Sequence, residues 1–163
     1  MTAPRVLRRR TGHRLGGYVY GLVIVGATFA IARPHAQTAR SIFADALVAV
    51  LVYIMTHGYV HVIEMRVDVE RPLSGAEMWT VLSHELVMLG AITVPVGVLL
   101  VTYAFGATLE NAVTIALWVV VVQLGVTTWL ATYGIGSWRG RVLYASIATA
   151  LGLALIVLKV ATH

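Results

Sequence analysis

Residues 109–133 read LENAVTIALWVVVVQLGVTTWLATY, a run whose only formal charge is Glu110 near its start. At about 1.5 Å per helical residue it is long enough to cross the roughly 30 Å hydrocarbon core of a bilayer. Four further apolar runs have the same character, giving helices at about 15–32, 42–65, 75–105 and 142–160 beside this one. The expected fold is an all-α, polytopic membrane helical bundle of five transmembrane helices, a single transmembrane domain over residues 1–163 with a basic cytoplasmic arm at 1–14. Composition agrees, because 59% of the 163 residues are hydrophobic and 12% are charged, against about a quarter charged in soluble domains. That excludes a disordered chain and argues against a water-soluble globule. With no cysteine, disulfides, thiolate metal ligands, iron–sulfur clusters and thiol nucleophiles are excluded.

The net charge of +5 comes from twelve cations, eleven of them arginine. Arg5, Arg8, Arg9, Arg10 and Arg14 cluster before the first apolar run, the flank of a segment held on the cytoplasmic side. With five crossings, the segments bearing Arg66 and Arg71, and Arg139 and Arg141, also face inward, so nine of the twelve cations lie inside. The expected orientation is N-in, C-out, in a bacterial inner (plasma) membrane. The basic arm suits anionic lipid headgroups rather than nucleic acid. A basic start, the run Gly16–Ala32 and its Ala30-Ile31-Ala32 ending also fit a cleavable signal peptide, which would leave four crossings. Tyr18, Tyr20, Gly16, Gly17 and Gly21 favour a retained, packed helix. Arg8-Arg9-Arg10 brushes the twin-arginine signal, but nothing downstream reads as an exported soluble domain.

Local signals set the boundaries. Pro34 bars continuation of the first helix, and Gly17 and Gly21 form a G-x-x-x-G pair that lets a neighbour approach. Ser41 is the expected N-cap of the second helix, with Asp45 in its first turn. Ser74-Gly75-Ala76-Glu77 fits a capping box, from which the third helix runs to about Phe105 with a kink expected at Pro95. The short turn Gly106-Ala107-Thr108 makes the third and fourth helices antiparallel neighbours. Residues 134–140, rich in glycine, read as a cytoplasmic loop. Trp79, Trp129 and Trp138 fall at the expected cytoplasmic interface as an aromatic belt.

Polar residues converge in one layer. Tyr53, His57, His61 and Glu64 are spaced by four, four and three, which places them within an arc of roughly 80° on one helix face. Ala46 and Val50 make the outer part of that face apolar. Counting inward from Arg66, His61 lies about 7 Å deep and His57 about 13 Å. Counting from Trp79 on the next helix, His84 and Glu85 lie about 7 to 9 Å deep. Gln123 and Thr127, one turn apart on the fourth helix, reach a comparable depth. Ionisable groups in a membrane segment face the bundle interior, because lipid exposure costs several kcal/mol.

Two chemistries suit this layer. His57 and His61 at i, i+4 can chelate a divalent transition metal such as Zn, with Glu64, His84 or Glu85 completing the shell. Tyr53, His57, His61, Glu64, His84 and Glu85 also supply groups for a proton relay, with Gln123 and Thr127 orienting them. A zincin peptidase is set aside, since His84-Glu85-Leu86-Val87-Met88 carries Met where the second His belongs. Haem fits poorly, because two imidazoles on one helix face cannot be opposite axial ligands. No G-x-S-x-G elbow, phosphate-binding glycine loop or inverted repeat is present. Ser83 beside His84 points elsewhere on the helix.

Tyr53-Ile54-Met55-Thr56-His57, the later His84-Glu85 pair and the Ala-Leu-rich last helix ending Leu158-Lys159-Val160 resemble a family of small, uncharacterised actinobacterial integral membrane proteins. His61 and Glu64 stand outside that pattern. The resemblance implies a membrane bundle and no activity. The expected function is therefore binding or conduction of protons or a divalent cation. A second reading is a non-catalytic accessory or scaffold subunit of a larger membrane complex or homo-oligomer. There the glycines of the first helix and the small face Ala145, Ala148 and Gly152 contact partners, and the His/Glu layer is interhelical glue. A third reading, a membrane enzyme using metal-activated water, needs an open coordination position and a lateral cleft.

Overall fold

The computed structural model describes residues 3–32, 37–69, 74–132 and 137–162, with side chains from Gly16 onward except those of 68, 69, 81, 84, 87 and 162. These residues form an all-α structure of six helices: α1 Ala3–Ile31, α2 Ala39–Val69, α3 Gly75–Glu85, α4 Val87–Ala104, α5 Leu109–Ala131 and α6 Trp138–Thr162. Three of them, α2, α5 and α6, are long and apolar enough to cross a membrane. Pro34, Arg71 and the glycines at 134 and 136 lie outside the described residues.

Several boundaries depart from the expected ones. The basic segment expected as an arm is helical from Ala3 and continuous with the apolar part of α1. Residues 138–140, expected in a loop, open α6. The cap of α2 is Thr38 rather than Ser41: Thr38 Oγ1 accepts from the Ser41 N–H at 3.1 Å. Asp45 is held by Gln37, whose Nε2 donates to Oδ2 at 2.8 Å.

The helix expected over 75–105 is two helices, divided at Leu86 and not at Pro95, which is fully buried within α4. The residues flanking Leu86 are drawn to different partners. On the α3 side Leu82 lies against Gly58 and Glu85 bonds to His61, both on α2. On the α4 side Met88 lies against Gly17 and Gly21 of α1. At the division Leu86 keeps helical dihedrals, φ −61° and ψ −16°, but Leu89 N–H reaches back only three residues, to the Leu86 carbonyl at 3.0 Å. The tighter i−3 bond marks the interruption of the α ladder.

The start of α3 follows the capping box: Ser74 Oγ accepts from the Glu77 N–H at 3.3 Å, and Glu77 Oε2 accepts from the Ser74 N–H at 2.8 Å. Ser74→Ala is expected to cost about 1 kcal/mol of local helix stability. It should appear as faster amide exchange confined to the first turn of α3; unchanged exchange there would contradict the cap.

α1 is the centre of the bundle and packs on α2, α4, α5 and α6, while α2 also holds α3 and α4, and α5 holds α4 and α6. The core is read from spacing of three and four. Ile42, Ala46, Val50 and Ile54 form the buried stripe of α2, and Val113, Ala116, Leu117, Val120 and Leu124 that of α5. They meet Leu22, Val25 and Phe29 of α1 and Met88, Ile92 and Leu99 of α4. Glycines let the backbones close up. A Cβ at Gly21 would stand 2.9 Å from both Ala91 Cβ and the Met88 carbonyl oxygen, and one at Gly152 would stand 3.0 Å from Val121 Cα. The outward faces are apolar too: Val52, Met55 and Tyr59 on α2, Val122, Val126 and Leu130 on α5, Leu143, Ile147 and Leu151 on α6 are exposed. Soluble monomers rarely present such continuous apolar surface, so a membrane location is plausible.

Candidate metal centre

The polar end of the α2 stripe begins where the apolar one stops. Tyr53, His57 and His61 follow one another at one-turn intervals, and their rings form a ladder. Tyr53 and His57 stack with centroids 5.4 Å apart at 20°, and His57 and His61 tilt against each other at 4.5 Å and 58°. Tyr20 of α1 closes the side of the ladder, 6.0 Å from Tyr53 and 6.2 Å from His57.

α3 supplies the carboxylate. Gly58, on the turn between the two histidines, has no side chain to hold α3 away; a Cβ there would meet Leu82 Cδ2 at 2.7 Å and Glu85 Cγ at 3.9 Å. This closeness lets Glu85 reach α2. Its Oε1 lies 2.9 Å from His61 Nδ1, hydrogen-bonding distance for a ring N–H donating to a carboxylate. Glu85 is only 4% exposed, and a buried carboxylate is retained when paired in this way. On the other side of the same ring, Glu64 Oε2 stands 3.9 Å from His61 Nε2. Glu64 itself is exposed.

His57, His61 and Glu85 each offer one ligand atom, and these atoms all lie within 4.8 Å of one another. Two imidazoles and a carboxylate form a borderline donor set suited to zinc-like divalent ions, and they can close around a cation with small side-chain adjustments.

Not every expected member joins this group. The side chain of His84 lies outside the described residues. Gln123 belongs elsewhere: α5 packs on α1, α4 and α6, and Gln123 Nε2 donates to the Tyr18 hydroxyl at 3.0 Å. Its Oε1 is buried with no hydrogen-bond partner among the described residues. Thr127, one turn further along α5, is half-buried and follows Gln123. Equal depth brought these residues into one expected layer, yet α1 stands between α5 and α2. Its Tyr18 turns to α5 and Tyr20 to α2, as residues two apart on a helix diverge by about 160°. Ser83 is engaged by its own helix, donating to the Thr80 carbonyl at 2.9 Å.

Sequence reasoning missed Tyr20 as a neighbour of His57 and also missed the buried Lys159. Lys159 Nζ donates to Thr114 Oγ1 at 2.8 Å and is 7% exposed. The available signal was register, since Lys159 near the end of α6 falls level with Thr114 near the start of α5. Trp129 and Trp138 pack edge to face at 4.9 Å and 87°, joining the end of α5 to the start of α6. The glycine and small-residue faces assigned to partners in the scaffold reading are occupied within the chain only in part: a Cβ at Gly16 would meet nothing within 4 Å, and Ala145 is half-buried. Gly17 and Gly21 face α4, Gly152 faces Val121 and Leu124, and Ala148 is buried.

Compared with models of protein families, with curated proteins and with solved structures, the chain matches none. The functional reading therefore stands on the geometry. Because α1 separates Gln123 from the His/Glu group, Gln123→Leu is expected to leave metal affinity unchanged. Isothermal titration of wild type and variant checks this; a weakened site would place Gln123 in the same layer after all.

Proposed function

We propose that the chain is a five-span inner-membrane protein, N-in and C-out, that binds a divalent transition metal such as zinc at His57, His61 and Glu85 in its cytoplasmic half. The apolar segments Gly16–Ile31 and Met88–Ala104 join the three long spans as the first and third crossings, and α3 lies at the cytoplasmic interface, where Trp79 is exposed. The five N-terminal arginines support this orientation.

The observation that carries the metal reading is the meeting of three ligand atoms from two helices within 4.8 Å. A relay of protons through the ladder is the second reading, favoured by the His61–Glu85 hydrogen bond. It comes second, because the contacts that join Tyr53, His57 and His61 in the ladder are ring stacking and tilting, whereas the metal reading has three ligand atoms already gathered. Accessory or scaffold service is a third reading, for the lipid-facing surface and for the parts of the first-assigned faces that stay open, such as Gly16.

Purified protein in lipid nanodiscs is expected to retain one zinc per chain after gel filtration, and His57→Ala is expected to lose it, as read by elemental analysis. Wild-type protein that emerges without zinc, or that loses none through the substitution, would overturn the reading.

A further inference from the structure

We infer that the metal at this centre keeps one coordination position for a ligand from outside the chain, of the class of small anions and oxygen donors; this rests on the metal reading above. His57, His61 and Glu85 are the group of ligands among the described residues. Zinc in structural sites is closed by four protein ligands, whereas three protein ligands leave a place for an exchangeable one.

The nearest further carboxylate does not supply the fourth donor. Glu64 stands at the Nε2 side of the His61 ring, 3.9 Å away, while Glu85 holds the Nδ1 side at 2.9 Å. A metal held at Nδ1 beside Glu85 would leave Glu64 at the far edge of the ring, 3.9 Å from Nε2 and beyond hydrogen-bonding distance, so that it neither shares the ion nor orients the imidazole.

Access points the same way. Glu85 seals the inner side, being 4% exposed, while the His61 side chain is 24% exposed and His57 is half-buried. His57 is bordered by the His61 imidazole and by the phenols of Tyr53 and Tyr20, and Tyr20 is 54% exposed. The group is thus covered by protein on the α3 side and left uncovered by protein at the edge formed by His57, His61 and Tyr20. Charge selects the ligand class. A divalent ion with two neutral imidazoles and one carboxylate retains a net positive charge, and an anion neutralises it.

Cobalt(II) and azide test this on the full chain in nanodiscs. Wild-type protein loaded with cobalt is expected to show visible absorption bands that shift saturably as azide is added, and the Glu64→Gln variant should retain that response. His57→Ala should lose the bands, which ties them to this centre. Stoichiometric cobalt whose spectrum ignores azide would mean a closed site and would overturn the inference while leaving the metal reading standing. If His84→Ala then made such a protein azide-sensitive, the fourth position would belong to His84, and the inference would equally be overturned. Failure to bind cobalt at all would remove the metal reading itself.

Discussion

Glu85→Gln is expected to weaken zinc binding about a hundredfold and to leave the helical fold intact. Structural zinc sites in small peptides bind with roughly 10–16 kcal/mol shared among four ligands, or about 3 kcal/mol each, which corresponds to about two orders of magnitude in Kd. Glutamine keeps the shape of Glu85 and a carbonyl oxygen that accepts the His61 Nδ1–H, now separated by 2.9 Å from Oε1. It removes the negative charge that a divalent cation needs. The substitution therefore separates the side chain's part as interhelical partner from its proposed part as metal ligand. Isothermal titration with zinc and circular dichroism on the same preparation read both. A fold that survives with undiminished affinity would exclude Glu85 from the shell. Glu85→Leu is the harsher contrast, because it also takes the carboxylate from His61.

The second large effect concerns the fold. Gly21→Ala should destabilise the bundle by about 1–3 kcal/mol, the usual range for forcing an added carbon into a packed interior, and Gly21→Val by more. The reason is what the new carbon would meet: the Met88 carbonyl oxygen and Ala91 Cβ, both at 2.9 Å. Neither is the end of a flexible side chain, so α1 and α4 would have to separate. Gly97, inside α4, has nothing within 4 Å of a Cβ added there. Gly97→Ala should be neutral or stabilising by up to about 1 kcal/mol, since alanine is the better helix former. Chemical unfolding in mixed micelles compares the two. Equal stability of both variants would contradict the close α1–α4 approach that lets α1 serve as the central helix.

What could be read from the chain beforehand was governed by periodicity and local chemistry. The apolar runs and the Ser74–Glu77 capping box are local signals, and they recover the all-α architecture and the start of α3. The i, i+4 spacing of Tyr53, His57 and His61 likewise puts them on one face, because a helix fixes that geometry without help from its neighbours. That Glu85 stands level with His61 was legible from the count along each helix, but its reach to His61 depends on Gly58 admitting Leu82 and on the break at Leu86. Pro95 was the conspicuous local breaker, yet the chain divides at Leu86 through a competition between α2 and α1 for the residues on either side. Nothing in the identity of Leu86 announces this. Gln123 shows the limit most plainly. Depth along a span can be counted in residues, but azimuth around the bundle is set by which helix lies between, and α1 turns Gln123 toward Tyr18. The family resemblance, with no matching family model beside it, adds nothing to the choice of chemistry.

The most direct test is X-ray absorption at the zinc edge of the zinc-loaded protein in nanodiscs. Two imidazole nitrogens and oxygen ligands at about 2.0–2.2 Å are expected, with one imidazole lost in His57→Ala and one in His61→Ala. A zinc shell without imidazole scattering, or one unchanged by both substitutions, would contradict a centre built by α2 and α3.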